Sequence, residues 1–508
     1  MAEKVVKIGI DFGTTYSFAG FLHGDRVMPL IPAKETYGIP SVFYYDGKKQ
    51  LIGKLAVSRA TAHPENAVFS IKRNLHQKEL TVGGRTFTPK EIVTAIIGYV
   101  VECAEKMLEE QYFVEYDRME AVITVPVDFN NPRIRLIREA AREVRLKNGT
   151  RLSITGVIPE PCAAAIEYFG LVPQEERDIL VYDLGGGTFD VALVHSSKET
   201  SEPYEVIDQI GESSLGGDDW DRALADWVME QYEREKGKKL PGTALRELLV
   251  SARNCKQELT EIETAEASIQ IRGDIFETEI SREKFEDLTR GLLERTLEDL
   301  RKLLSRQSDR ALRHVILTGG STYMPQIMRS LREEKLFSED VEIRFVEPEH
   351  AIAYGAARYA DILPITPDTA EDKHEKSRAR IHLIAPHNYG IIYHINSMQG
   401  KEMIEILIRK GTRLPAAAES ISYVRSENSR TSQYVICESD NLDERQLIEL
   451  TEGREIMTAR LERQVQVPKG TQARQILTLG EDLILQFRAE DRVYGAAVET
   501  KVQLEMKL

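Results

Sequence analysis

Val181-Tyr182-Asp183-Leu184-Gly185-Gly186-Gly187-Thr188 runs an apolar strand into an aspartate, a glycine turn and a threonine. The same pattern stands earlier, at Ile8-Gly9-Ile10-Asp11-Phe12-Gly13-Thr14-Thr15. Asp11 and Asp183 are 172 residues apart, as are Gly13 and Gly185, which predicts two related half-domains facing one another. Glycines permit a tight turn and let backbone N–H groups approach an anion, and a threonine hydroxyl adds a donor. An aspartate at the strand end repels phosphate, yet it can hold Mg²⁺ or its waters against phosphate oxygens. One such turn is equally well a plain hairpin. Two of them, one per half-domain, would close on a triphosphate from both sides.

Further motifs follow in order. Val315-Ile316-Leu317-Thr318-Gly319-Gly320-Ser321-Thr322 is another apolar strand ending in a glycine turn, suited to bringing backbone against a flat ring. Ile158-Pro159-Glu160-Pro161 sets a carboxylate at a turn before the small-residue run Ala163–Ala165. Phe69-Ser70-Ile71-Lys72-Arg73 offers a lysine after an apolar run, a residue that is most often solvated. Neither G-x-x-x-x-G-K-[ST] nor G-x-G-x-x-G occurs, so neither of the common phosphate loops is indicated.

Working outward, the first ~360 residues alternate strand-like runs with amphipathic helices, the pattern of α/β architecture. Thr88-Pro89-Lys90-Glu91 predicts a capped helix running toward Glu110, and Asn131-Pro132 opens the next. Residues 371–380, EDKHEKSRAR, are almost wholly polar and read as solvated linker. After Gly390 the period switches to two, and residues 498–508 alternate cleanly between apolar and polar. The expected domains are therefore 1–364, a linker at 365–389, and an all-β domain at 390–508, most simply a sandwich.

The chain has 508 residues, with 82 Asp+Glu against 67 Lys+Arg and a net charge of −15. From Gly390 onward 16 basic residues face 18 acidic ones, so the excess belongs to the first part. Such a balance, with no basic stripe, argues against nucleic-acid binding. The longest apolar stretch, 92–104, is too short to span a bilayer. Cys103, Cys162, Cys255 and Cys437 show no paired spacing, so neither disulfides nor zinc are expected. MAEKVVKIGID has no secretory pattern, which makes the cytoplasm the default compartment.

In IGIDFGTTYS, YDLGGGTFDVALV, IPEPCAAAIEYFG, VILTGGSTYMP and AIAYGAA the chain resembles the heat shock protein 70 family of DnaK-type chaperones. GGGTFDV separates that family from sugar and acetate kinases. The resemblance implies an α/β actin-like ATPase domain of two related half-domains, followed by an all-β sandwich that binds extended peptides through an apolar pocket. It implies ATP/ADP and Mg²⁺ as cofactors, with K⁺ a further candidate. Asp11 and Asp183 would position the metal, through water. Lys72, Glu160, Asp183, Thr188 and Asp190 would form the catalytic set of a slow ATP hydrolase. Gly13, Thr14, Thr15, Gly185, Gly186 and Gly187 would cradle the phosphates, and Tyr16, Gly216 and Gly217 would be further cofactor-binding residues. Arg253, Lys256, Gln257, Thr260, Gly319, Gly320, Ser321, Thr322 and Tyr323 would take the adenosine side. Phosphoryl transfer is mainly positioning and charge neutralisation, so no covalent nucleophile is required.

Several positions depart from the family pattern. Arg253 stands where a ribose-binding glutamate is usual, and Tyr323 replaces an arginine, offering a stacking face instead. Gly156, Pro159, Ile134 and Leu383 replace family residues of the regulatory parts. These changes argue against a conventional J-domain partner. Met398 and Ile404 are candidate pocket residues, each equally a loop or core residue; Cys437 reads as a small buried hydrophobe. The expected partners are unfolded or extended peptides or one dedicated client, with a nucleotide-exchange factor. The leading expectation is an ATP-dependent chaperone; the alternative is an ATP-binding scaffold with little turnover. A metabolite kinase or actin-like filament leaves the β-domain unexplained. A helical lid over bound peptide, usual in the family, is not expected from this sequence.

Overall fold

The computed structural model describes residues 3–32, 38–171, 177–197, 204–240, 244–271, 274–307, 310, 312–363, 381–394, 402–439, 447–449, 451, 453–480 and 483–501. It is a mixed α/β protein in two compact units. The first comprises 1–128, 137–204 and 209–380; the second comprises 129–136, 205–208 and 381–508.

Two sheets of the first unit share one topology. In the earlier sheet, β1 (Val5–Asp11), β2 (Tyr16–His23) and β3 (Arg26–Pro29) form an antiparallel meander. β4 (Arg118–Val125) and β5 (Ser153–Pro159) then add parallel strands, giving the order β5-β4-β1-β2-β3. In the later sheet, β6 (Arg177–Leu184), β7 (Phe189–Ser196) and β8 (Tyr204–Glu212) run consecutively. β9 (Leu312–Thr318) lies parallel to β6 and β10 (Glu342–Phe345) parallel to β9, giving the run β10-β9-β6-β7-β8. The 172-residue spacing is thus a repeated fold unit. β6 is flanked by neighbours on both edges, and its run Ile179–Tyr182 is fully buried, as the unbroken apolar sequence requires.

Helices fill the faces. Thr88 and Glu91 make the expected reciprocal cap of helix Pro89–Glu110: Glu91 N–H donates to Thr88 Oγ1 (3.2 Å) and Thr88 N–H to Glu91 Oε2 (2.7 Å). Helix Glu160–Leu171 lies against helix Ala351–Ile362 at very short range. A Cβ on Gly355 would come within 1.7 Å of the Ala163 carbonyl, and one on Gly9 within 2.1 Å of Ala357 N. The small residues of CAAA and AIAYGAA are therefore what lets these helices approach each other and β1.

The second unit contains two antiparallel sheets. β11 (Asn388–His394), β12 (Glu402–Ile408), β13 (Ala416–Tyr423), β14 (Ser429–Ser439), β15 (Leu447–Glu449), β16 (Arg454–Val467), β17 (Gln472–Leu479), β18 (Leu485–Asp491) and β19 (Ala496–Lys501) are its strands. One sheet has the order β15-β12-β11-β14-β16, the other β13-β17-β18-β19. Ile404, Ile406, Cys437 and Ile448 form a core cluster, so Ile404 and Cys437 are packing residues. Met398, the polar run 371–380 and the end of the alternating stretch, 502–508, lie outside the described residues.

The expected linker needs correction at its far end. Leu383, Ile384 and Ala385 are buried in the second unit. Ala385 N–H donates to Thr412 O (2.8 Å) and Leu414 N–H to Leu383 O (2.8 Å). An apolar run with satisfied backbone groups is a folded element, and 381–389 belongs to the second unit.

Candidate functional site

β1 and β6 each deliver an aspartate at their carboxyl ends, and the glycine turns beyond them meet. A Cβ on Gly186 would fall 2.0 Å from Thr15 Oγ1, and one on Gly187 2.5 Å from Thr14 Oγ1. Gly13 is equally constrained, its virtual Cβ 1.9 Å from Tyr16 O. No larger residue fits any of the three without moving backbone or the facing turn. Ser41, which the sequence reading passed over, braces the first turn: its hydroxyl donates to Gly13 O (2.8 Å) and its N–H to Thr15 O (2.8 Å).

The second turn is tied to its surroundings through its carbonyls. Gly217 N–H donates to Gly185 O (2.9 Å), Asp218 N–H to Gly186 O (2.7 Å), and Ser321 Oγ to Gly185 O (3.0 Å). Lys256 Nζ donates to Gly217 O (2.9 Å) and pairs with Asp221 (2.6 Å). Gly319 has φ +80°, and its virtual Cβ would lie 2.4 Å from Leu184 O, so that turn is glycine by necessity. Gly185, Gly216, Gly217, Lys256, Gly319 and Ser321 are therefore brought together. Thr322 closes the last turn by donating to Gly319 O (2.7 Å), and Gly320 has open space beside it.

Beneath the turns lies the polar centre. Asp11, Lys72, Glu160, Asp183, Thr188 and Asp190 are all buried. Lys72 is 3 % exposed, and its Nζ donates to Glu160 Oε1 at 2.6 Å; the usual solvated lysine is ruled out here. Asp11 Oδ1 accepts from Thr124 Oγ1 (3.0 Å), and Asp190 Oδ1 from Val127 N–H (2.9 Å). Carboxylate oxygens of Glu160, Asp183 and Asp190 all lie within 4.8 Å of one another.

Such burial and crowding of like charges disfavour ionisation. Burial, followed by the Glu160 charge, raises the Asp11 carboxyl to about 7, although Lys72 and the Thr124 hydroxyl pull the other way. Burial, then Glu160 and Asp11, pushes Asp183 well above the carboxylate range. Burial, then Glu160 and Asp128, does the same to Asp190. Asp183 Oδ1, Asp190 Oδ2 and Thr15 Oγ1 are buried and have no partner among the described residues. Hard oxygen donors with excess negative charge and spare lone pairs fit a divalent cation. Asp11, expected to share the metal with Asp183, stands outside the three-carboxylate group, whose other members are Glu160 and Asp190.

Other expected residues sit at the edge. Gln257 is exposed, and Thr260 is half-buried with its hydroxyl donating to Gln257 O (2.6 Å). Arg253 is held by Asp218 (2.7 Å) and Asp221 (2.9 Å), which makes it a brace for helix Gly217–Lys236. Tyr323 is 44 % exposed and stacks on Phe345 (centroids 5.4 Å apart, planes at 25°). Tyr16 is half-buried at the start of β2.

Three further contributors were missed. Arg73 donates to Gly187 O through Nε (3.0 Å) and Nη2 (2.8 Å) and pairs with Asp219 (2.5 Å), locking the second turn to the segment that carries Lys72. Thr124 holds Asp11. Asp128 accepts from Ser213 N–H (2.7 Å) and adds its charge near Asp190. The signal for Thr124 was available: a hydroxyl near the carboxyl end of the apolar strand Ala121–Val125. Arg73 and Asp128 had none beyond proximity in the chain.

A buried, cation-hungry carboxylate centre thus lies under two facing glycine turns on a duplicated α/β scaffold. The Hsp70 protein family model matches residues 7–79 and 74–441. The chain is 30% identical over 484 residues to a ribosome-associated molecular chaperone of Zygosaccharomyces rouxii, covering 87% of this chain and 74% of the relative. The chain belongs to the Hsp70 family of ATP-binding chaperones.

Proposed function

We propose that the protein is an ATP-dependent chaperone that hydrolyses ATP at the paired glycine turns and thereby controls its hold on extended peptides. The duplicated sheets are read as the halves of an actin-like ATPase domain, within 1–364, and the two antiparallel sheets as a peptide-binding β-sandwich, within 381–508. A cytoplasmic location suits this reading, and among the described residues no helix is long and apolar enough to cross a membrane.

The observation that carries the proposal is the buried excess of carboxylates facing Lys72. Asp183, Glu160 and Asp190 would hold Mg²⁺, which neutralises phosphate charge when bound. Lys72, oriented by Glu160, supplies a dehydrated cation for the terminal phosphoryl group. Backbone N–H groups of the glycine turns, with the Thr14, Thr15 and Thr188 hydroxyls, supply donors for phosphate oxygens. Tyr323 and Phe345 offer an aromatic face for the base.

Steady-state ATP hydrolysis, measured with and without a reduced and alkylated unfolded protein, tests this. Slow turnover that changes several-fold on adding the unfolded protein is expected. Tight ATP binding with no turnover would instead establish the scaffold reading.

A further inference from the structure

The second unit carries a half-open cavity of about 1030 Å³ whose lining includes Ser422, Ser432, Gln433, Tyr434, Val435 and Gln475. Its existence follows from β13. The half-buried positions that alternate with exposed Ile421 and Tyr423 carry only Ala418, Ser420 and Ser422. Ser420 is registered opposite Gln475, and Ser422 opposite Ala473, so small side chains leave room beside Gln475.

Gln475 is the residue out of place. On β17 the buried positions are Ala473, Gln475, Leu477 and Leu479, and the alternation calls for an apolar side chain at 475. Gln475 is 0 % exposed, and neither Oε1 nor Nε2 has a partner among the described residues. Native interiors seldom leave both ends of a buried amide unpaired. A leucine would fill the position without that cost. Nearby polarity continues, since Ser422 Oγ donates to Tyr434 Oη (3.3 Å) and Ser432 Oγ accepts from Arg463 Nη1 (3.1 Å).

We infer that this cavity takes the side-chain carboxamide of a glutamine or asparagine in an extended peptide, in contrast to the apolar pocket implied by the resemblance. A second carboxamide matches Gln475 reciprocally: its N–H donates to Oε1 and its carbonyl accepts from Nε2. The inference rests on the proposed reading of the second unit as a binder of extended peptides.

Fluorescence anisotropy with two labelled heptapeptides, differing only in a central glutamine or leucine, separates the possibilities. The nucleotide-free full chain should bind the glutamine peptide about tenfold more tightly. Gln475→Leu should reverse the preference, and the wild-type comparison stands whether or not that variant folds. Equal binding of both peptides, or tighter binding of the leucine peptide, overturns the carboxamide assignment while leaving peptide binding intact. An unchanged preference in Gln475→Leu overturns the role of Gln475. Binding of neither peptide overturns the proposed peptide-binding reading as well.

Discussion

The two units each bury charge, and they do so in opposite ways. In the first, Asp11, Glu160, Asp183 and Asp190 are buried around Lys72, and the carboxyls of the three aspartates are driven toward protonation. In the second, Arg463 and Asp491 are both fully buried and pair one to one at 2.6 Å. Asp491 Oδ1 also accepts from Val493 and Tyr494 N–H (both 3.1 Å). Burying an ion is costly, and a matched pair with further hydrogen bonds offsets most of that cost. A surplus of one sign has no internal remedy. It must take up protons or an external cation, and that need is what turns a buried cluster into a site. Balanced burial holds a fold together; unbalanced burial waits for a ligand.

The sharpest way to break this contrast is to remove the cation of the first centre. Lys72→Ala should lower single-turnover hydrolysis about a thousandfold while ATP binding is largely retained. Unchanged single-turnover rates would remove Lys72 from the chemistry. Next in size, Arg463→Met leaves Asp491 charged and alone in the interior and should cost about 3 kcal/mol in chemical denaturation. Pairing it with Asp491→Leu should recover most of that loss. If the single variant is neutral, the pair is not structural in the sense argued here.

A smaller effect tests the surplus itself. Folding raises the Asp11 carboxyl from 3.8 to about 7, so the folded state binds this proton more tightly than the unfolded chain does. Stability of the metal-free protein should therefore fall as pH rises from about 4 to about 7 through this group, and Asp183 and Asp190, raised in the same direction, add to the fall. At the proposed ligands, protons on Asp183 and Asp190 compete with Mg²⁺ for the same oxygens, so its affinity by calorimetry should rise with pH. A flat profile would mean that the centre is already ionised without metal.

Legibility in the sequence followed the reach of the interactions. The glycine turns and their aspartates are local, because strand, carboxylate and turn are adjacent residues whose geometry each turn enforces for itself. The duplicated topology could be inferred from one spacing, since Asp11 and Asp183 each end the strand that carries them. Arg73 was not legible as a site residue, because its partners Gly187 and Asp219 are 114 and 146 residues away. The folded state of 381–389 was missed because its backbone partners, such as Thr412 and Leu414, lie across a turn that composition does not reveal. Arg253 read as a departure on the adenosine side; its carboxylate partners show it to be a brace.

The sequence by itself determined the class of scaffold, the two glycine turns and the residues able to carry charge to them. These depend on backbone conformation and strand period, which neighbouring residues impose. Only the tertiary structure decided which charges are surplus and which are matched. Burial and the distance between groups far apart in the chain set that balance, and neither is a property of any local stretch.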